Sequence, residues 1–132
     1  MTKINHIAIL VESVEAALPF WQDALGLELH QLEEVPAEKA RVAFFPTGES
    51  EIELVEPTDP ETGLGRYLQK HGGGIHHICL EVPDIKAMMD RLVAHDVVLI
   101  NEASRTRENG TKYAFIHPKS TGGVLVELYQ LP

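Results

Sequence analysis

From residue 4 the chain alternates, with Ile4, His6, Ala8 and Leu10 on one side of an extended segment and Asn5, Ile7 and Ile9 on the other. That period of two predicts a strand. The period then lengthens: Val14, Ala17, Leu18, Trp21 and Leu25 recur at helical spacing after Ser13, a capping residue, and Gly26 is placed to end the helix. Pro19 lies inside this pattern without an amide to donate, which predicts a kink or a late start. Three strand-like runs follow, 27–35, 40–46 and 50–56, rich in β-branched and aromatic residues. The second half has the same order. An apolar run at 75–82 precedes Asp84, then Ile85, Met88, Met89, Leu92 and Val93 at helical spacing, then strand-like runs at 97–102, 112–117 and 123–130.

The two halves also match residue by residue. INHIAILV at 4–11 aligns with IHHICLEV at 75–82, which sets His6 on His77 at an offset of 71 (77 − 6). IELVEP at 52–57 aligns with VELYQL at 126–131, which sets Glu53 on Glu127 at an offset of 74 (127 − 53). Loops absorb the difference of three. The expected architecture is α+β: two tandem βαβββ modules, about 1–57 and 75–132, joined by a connection at about 58–74 in which Leu64, Tyr67 and Leu68 support one short helix. A single module leaves one face of its small sheet uncovered, so the pair is expected to pack as one domain over residues 1–132.

Composition narrows the function. At 132 residues and 44% hydrophobic, the chain has enough apolar side chain for a core. Twenty acidic residues against eleven basic ones give a net charge of -9, which disfavours nucleic acid or an anionic membrane as the partner. The apolar runs are strand-length and the start has no cleavable signal pattern. The single cysteine, Cys79, forms no internal disulfide and no Cys-x-x-Cys pair, and is read as a small buried hydrophobe. A cytoplasmic protein is expected.

Glu127 sits between apolar residues in GVLVELY, a costly place for a carboxylate without a partner. A lone strand histidine is most often a hydrogen-bonded core residue, and a lone strand glutamate most often faces solvent. The repeat changes that balance. Two histidines on opening strands and two glutamates on closing strands, related by an internal pseudo-twofold, give the nitrogen and oxygen donors that a borderline divalent ion takes. His6, Glu53, His77 and Glu127 are therefore the expected metal ligands, one ion per chain. Cobalt is the expected ion; manganese, nickel and zinc suit the same donors. His76 points away from His77's face and is read as a packed or surface residue; His30, His71, His95 and His117 lack counterparts and are read as surface residues or as supports behind the ligands.

The duplicated modules with opening histidines and closing acids resemble the vicinal-oxygen-chelate superfamily, which includes glyoxalase I, extradiol dioxygenases and methylmalonyl-CoA epimerases. INHIAILV, FWQDALGLEL, IELVEP, GGGIHHICLEV and HPKSTGGVLVEL together resemble the epimerases most closely, over almost the whole chain. The resemblance implies a curved sheet around a metal site, a small acyl-CoA substrate and a homodimer. It implies epimerisation of methylmalonyl-CoA by loss and return of the proton between thioester and carboxylate. Carried over by position, the ligands fall on His6, Glu53, His77 and Glu127, with Glu127 and then Glu53 as the proton-exchanging residues and Glu51 as an alternative. Some relatives carry a further glutamate on the preceding strand, a position aligned here with Ala43. Lys119, Ser120 and Thr121 are expected to shape the pocket mouth, with Arg105, Arg107, Lys112 and Lys119 as candidate partners of coenzyme A phosphates. A glyoxalase-I-like lactoylglutathione lyase and a non-catalytic ligand-binding protein of the same fold are the alternatives.

Overall fold

A computed structural model describes residues 1–132. The chain forms eight strands and three α-helices: β1 Lys3–Leu10, α1 Val14–Leu18, β2 Gln31–Val35, β3 Ala40–Thr47, β4 Ser50–Pro57, α2 Gly63–His71, β5 Gly74–Glu81, α3 Ile85–Ala94, β6 Arg105–Thr106, β7 Lys112–Ile116 and β8 Val126–Gln130. Two compact units emerge, and their boundary differs from that of the sequence repeat. Residues Met1–His6 join His77–Pro132 in one unit, and Ile7–His76 form the other. Strand order is β2-β3-β4-β1 in the unit of Ile7–His76 and β1-β5-β8-β7-β6 in the other, with β1 divided after His6. No helix is long and apolar enough to cross a membrane.

In the unit Ile7–His76, β2, β3 and β4 form an antiparallel meander, with Gln31 opposite Phe44 and Phe44 opposite Glu53. One face packs Ala8, Leu10, Ala40, Val42 and Val55 with Leu64 and Leu68 of α2. The other packs Val14, Ala43, Phe45 and Leu54 with Ala17, Leu18 and Trp21. Helix α1 starts where its cap predicts: Ser13 Oγ accepts the Ala16 N–H at 3.2 Å, and Glu56 Oε1 accepts the Val14 N–H at 2.8 Å. Pro19 does not delay its start, but the α-helical turns end at Leu18 and do not run on. Instead Pro19–Ala24 widen into a π-helical turn, in which the Leu25 N–H reaches back five residues to the Phe20 carbonyl at 2.8 Å. Gly26 at φ +77° then ends the turn, a backbone conformation open to glycine without steric cost. Strand β2 is shorter than the run at 27–35, because Leu27 and Leu29 turn into the Val14–Phe45 cluster before the ladder begins at Gln31.

In the other unit β5 runs parallel to β8, with Cys79 opposite Glu127, while β7 is antiparallel to β8, with Phe115 opposite Glu127. Val82, Ile85, Met89, Ala114, Ile116 and Leu128 form the core. Helix α3 is capped by Asp84 Oδ1 on the Ala87 N–H at 3.0 Å and by Gln130 Oε1 on the Ile85 N–H at 2.8 Å. The duplication thus extends to a device not visible as hydrophobic pattern: Glu56 and Gln130, at the same offset as Glu53 and Glu127, each accept the first amide of the matching helix.

Two strands expected here change form. The segment 97–102 makes only broken pairing: the His117 N–H reaches Val98 O at 2.9 Å and the Ile100 N–H reaches Phe115 O at 2.8 Å, but the next acceptor is the Asn101 side chain. With its own Oδ1 taking the Phe115 amide, Asn101 interrupts the ladder, and the regular edge pair is the short β6. The run at 123–130 becomes regular only at Val126, because Thr121 Oγ1 holds the Val124 N–H within the preceding turn.

Candidate metal centre

Three side chains from distant parts of the sequence converge in the unit that contains Met1–His6 and His77–Pro132. His6 stands on β1, His77 on β5 and Glu127 on β8. Glu127 is level with Cys79 across the parallel ladder, and His77 lies two residues before Cys79 on the same strand face. Cys79 is fully buried and in no disulfide, as its sequence context predicts.

His6 Nε2 lies 3.2 Å from His77 Nε2 and 3.5 Å from Glu127 Oε1, and His77 Nε2 lies 3.1 Å from the same oxygen. These distances test the fit of an ion. Donors held about 2.1 Å from a divalent cation stand about 3.0 Å apart at right angles and about 3.4 Å apart at the tetrahedral angle. The observed edges, 3.1 to 3.5 Å, lie close to those values, so the three atoms approximate one face of a coordination shell. Two imidazoles and one carboxylate suit a borderline divalent ion and leave positions open for a ligand. The cluster is consistent with a divalent metal site.

The surroundings make it a dry, directional site. The His6 and Glu127 side chains are 3% and 2% exposed, and His77 13%. Tyr129 packs edge-on against His6 at 5.3 Å between ring centroids, and Phe115 against His77 at 5.7 Å. Burial alone pushes the Glu127 carboxyl up. Hydrogen bonds from His6 and His77, and then their charge, outweigh burial and hold it down to about 2.

Two further residues complete the surround, and sequence reasoning assigned them no such role. Arg107 Nη2 lies 3.4 Å from Glu127 Oε2, and its guanidinium stacks 4.3 Å from the Tyr113 ring centroid. The two carboxylate oxygens are thereby divided, Oε1 to the histidines and Oε2 to arginine. Asn5 Oδ1 lies 2.7 Å from His6 Nδ1, and Asn5 Nδ2 donates to Glu81 Oε1 at 3.0 Å. Adjacency to His6 was a sequence signal for Asn5. None existed for Arg107, which pattern alone left among the loop cations with Arg105, Lys112 and Lys119.

Glu53 belongs to the other unit. It is half-buried on β4 and shares its strand face with Val55, which packs with Ala8 and Leu10. Ala43 pairs with Leu54 and is buried in the Val14–Phe45 cluster, on the face opposite Glu53. The β3 residues sharing Glu53's face are Ala40, Val42, Phe44 and Pro46, none of them acidic. Ser120 and Thr121 hold their turn together: Ser120 Oγ accepts the Val98 N–H at 2.9 Å, and Thr121 Oγ1 accepts the Val124 N–H at 3.0 Å. Lys119 is exposed and its amide donates to His117 Nδ1 at 3.1 Å. His76 packs edge-on against Tyr67, as a packed histidine would.

The sequence pattern of the glyoxalase/bleomycin resistance protein/dioxygenase superfamily matches residues 5–115. The uncharacterized protein YqjC of Bacillus subtilis is 38% identical over 97% of this chain and 91% of its own. The ethylmalonyl-CoA/methylmalonyl-CoA epimerase of Cereibacter sphaeroides is 37% identical over 98% of both chains. Among solved structures, a substituted methylmalonyl-CoA epimerase of Streptomyces coelicolor in complex with 2-nitronate-propionyl-CoA superimposes with a TM-score of 0.88, at 29% identity over 99% of this chain and 95% of the other.

Proposed function

Because the chain belongs to the glyoxalase/bleomycin resistance protein/dioxygenase superfamily, we propose that it is a metal-dependent epimerase of methylmalonyl-CoA. The observation that carries this reading is the preformed face of His6, His77 and Glu127, in a chain matching epimerases over nearly its full length. Glu53 is the fourth ligand in this proposal. A divalent ion held by His6, Glu53, His77 and Glu127 would supply Lewis-acid stabilisation of the negative charge that develops on oxygen as the proton leaves the carbon between the carbonyls.

The chain's own groups divide the remaining work. His6 and His77 are held against rings, which limits their freedom to turn. Burial excludes water from Glu127, so charge near it is poorly screened. Inversion at carbon calls for one group that takes the proton and another that returns one from the opposite side. In this proposal the two groups are Glu127 and Glu53, which approach the ion from different modules, with Glu127 the first acceptor and Glu53 the second. Lys119 and the turn at Ser120 and Thr121 remain the proposed pocket mouth for the acyl-CoA.

The test is turnover of one methylmalonyl-CoA epimer in deuterated water, after chelator treatment and again after divalent metal is restored. Interconversion with deuterium entering at the reacting carbon is expected only in the second case. Failure of the metal-loaded protein to interconvert the epimers would overturn the assignment, and interconversion with full retention of hydrogen would overturn the two-group scheme.

A further inference from the structure

We propose that Asn5, anchored by Glu81, is a positioning residue that fixes the His6 ring with its proton on Nδ1, leaving the Nε2 lone pair aimed at the metal position. This inference rests on the metal reading of the cluster but not on the identity of the substrate. Asn5 and His6 leave β1 on opposite faces, yet Asn5 Oδ1 lies 2.7 Å from His6 Nδ1. An asparagine side chain can present either its oxygen or its NH2 group to that nitrogen, and the two choices have opposite consequences. Presented as oxygen, it accepts a proton from Nδ1. Presented as NH2, it requires Nδ1 to be bare and forces the ring proton onto Nε2, where it would block a metal.

Glu81 makes the choice. Its Oε1 lies 3.0 Å from Asn5 Nδ2, and its Oε2 lies 3.9 Å from Lys3 Nζ. A carboxylate accepts and does not donate, so turning the asparagine over would set the amide oxygen against Oε1 as two acceptors in contact. Asn5 must therefore give its NH2 to Glu81 and its oxygen to His6. The sequence Lys3, Glu81, Asn5, His6 is thus a one-way relay of donors and acceptors, and all four residues lie in one unit. It orients a ligand in the way that second partners of metal-bound histidines do, where such a partner is worth about 10–100-fold in metal affinity. His77 stands at the repeat-equivalent place of His6, where the preceding residue is His76 rather than an asparagine.

The test reads the tautomer directly. Nitrogen-resolved NMR of the histidine rings in metal-free protein, in mildly alkaline buffer, is expected to show His6 protonated on Nδ1 and bare on Nε2. A wild-type His6 protonated on Nε2 would overturn the proposal without any variant. Asn5→Leu and Glu81→Leu should each let the Nε2-protonated form appear and should weaken cobalt binding, measured by titration calorimetry, by about 10–100-fold. Asn5→Asp combined with Glu81→Gln keeps an acceptor beside Nδ1 and gives the new carboxylate an amide donor, and should hold the wild-type tautomer. Should Asn5→Leu fail to fold, Glu81→Leu and the wild-type spectrum still decide; an unchanged tautomer in a folded Asn5→Leu protein would refute the role. Wild-type protein that binds no cobalt while His6 is Nδ1-protonated would sink the metal reading instead.

Discussion

Replacing Glu127 by glutamine separates a metal ligand from a mere shape, and the structure makes the outcome harsher than isosterism suggests. Oε1 stands 3.1 and 3.5 Å from the two histidine Nε2 atoms, while Oε2 stands 3.4 Å from Arg107 Nη2. A carboxylate serves both sides as an acceptor. An amide cannot. If its oxygen turns to Arg107, its NH2 faces the metal position; if its oxygen turns to the metal, its NH2 abuts the guanidinium, donor against donor. With the anionic donor lost and the amide caught between two opposed demands, Glu127→Gln should weaken cobalt binding by at least about 100-fold, roughly 2.7 kcal/mol. Adding Arg107→Met removes the competing donor while keeping an apolar chain against Tyr113. The double variant should therefore regain about tenfold in affinity over Glu127→Gln, roughly 1.4 kcal/mol, and Arg107→Met alone completes the double-mutant cycle. Titration calorimetry on metal-free proteins measures all four corners. A Glu127→Gln protein binding cobalt within a few-fold of wild type, or a double variant weaker than the single one, would refute the divided-carboxylate account.

Other outcomes follow from named contacts. His77→Ala removes one corner of the donor triangle and should abolish stoichiometric metal in protein purified without chelator, as read by elemental analysis, while circular dichroism stays near wild type. Glu53→Gln should lower turnover by about 100-fold or more if Glu53 carries the proton, with cobalt affinity reduced far less; equal turnover at full metal loading would remove it from that role. Gly65→Ala places a Cβ 2.4 Å from the Asp59 carbonyl oxygen and 2.7 Å from Pro60 Cα, backbone that cannot swing aside, so denaturant melts should show a loss of about 1–3 kcal/mol or more. Asp84→Ala removes the acceptor of the Ala87 amide at the start of α3, and the same assay should register about 1 kcal/mol.

The repeat made His6, His77 and Glu127 legible because duplication preserves which residue of a strand faces inward, and alternation is a property of neighbours along the chain. Helix starts were legible for the same local reason, since Ser13 and Asp84 bond amides only three residues away. Pro19 shows the limit of such reasoning: its missing amide was plain, but whether the turn breaks or widens depends on the packing of Leu18 and Trp21 against Val14 and Phe45. Tertiary structure alone decided that Met1–His6 join the second half of the chain, because strand order, not repeat order, sets which segments touch. It also decided that Arg107 takes one oxygen of Glu127 and that Glu81 turns Asn5 toward His6. Those contacts join residues 20 and 76 positions apart. No local period encodes them, since a loop arginine or a strand-end glutamate finds its partner only after the strands that carry both have paired.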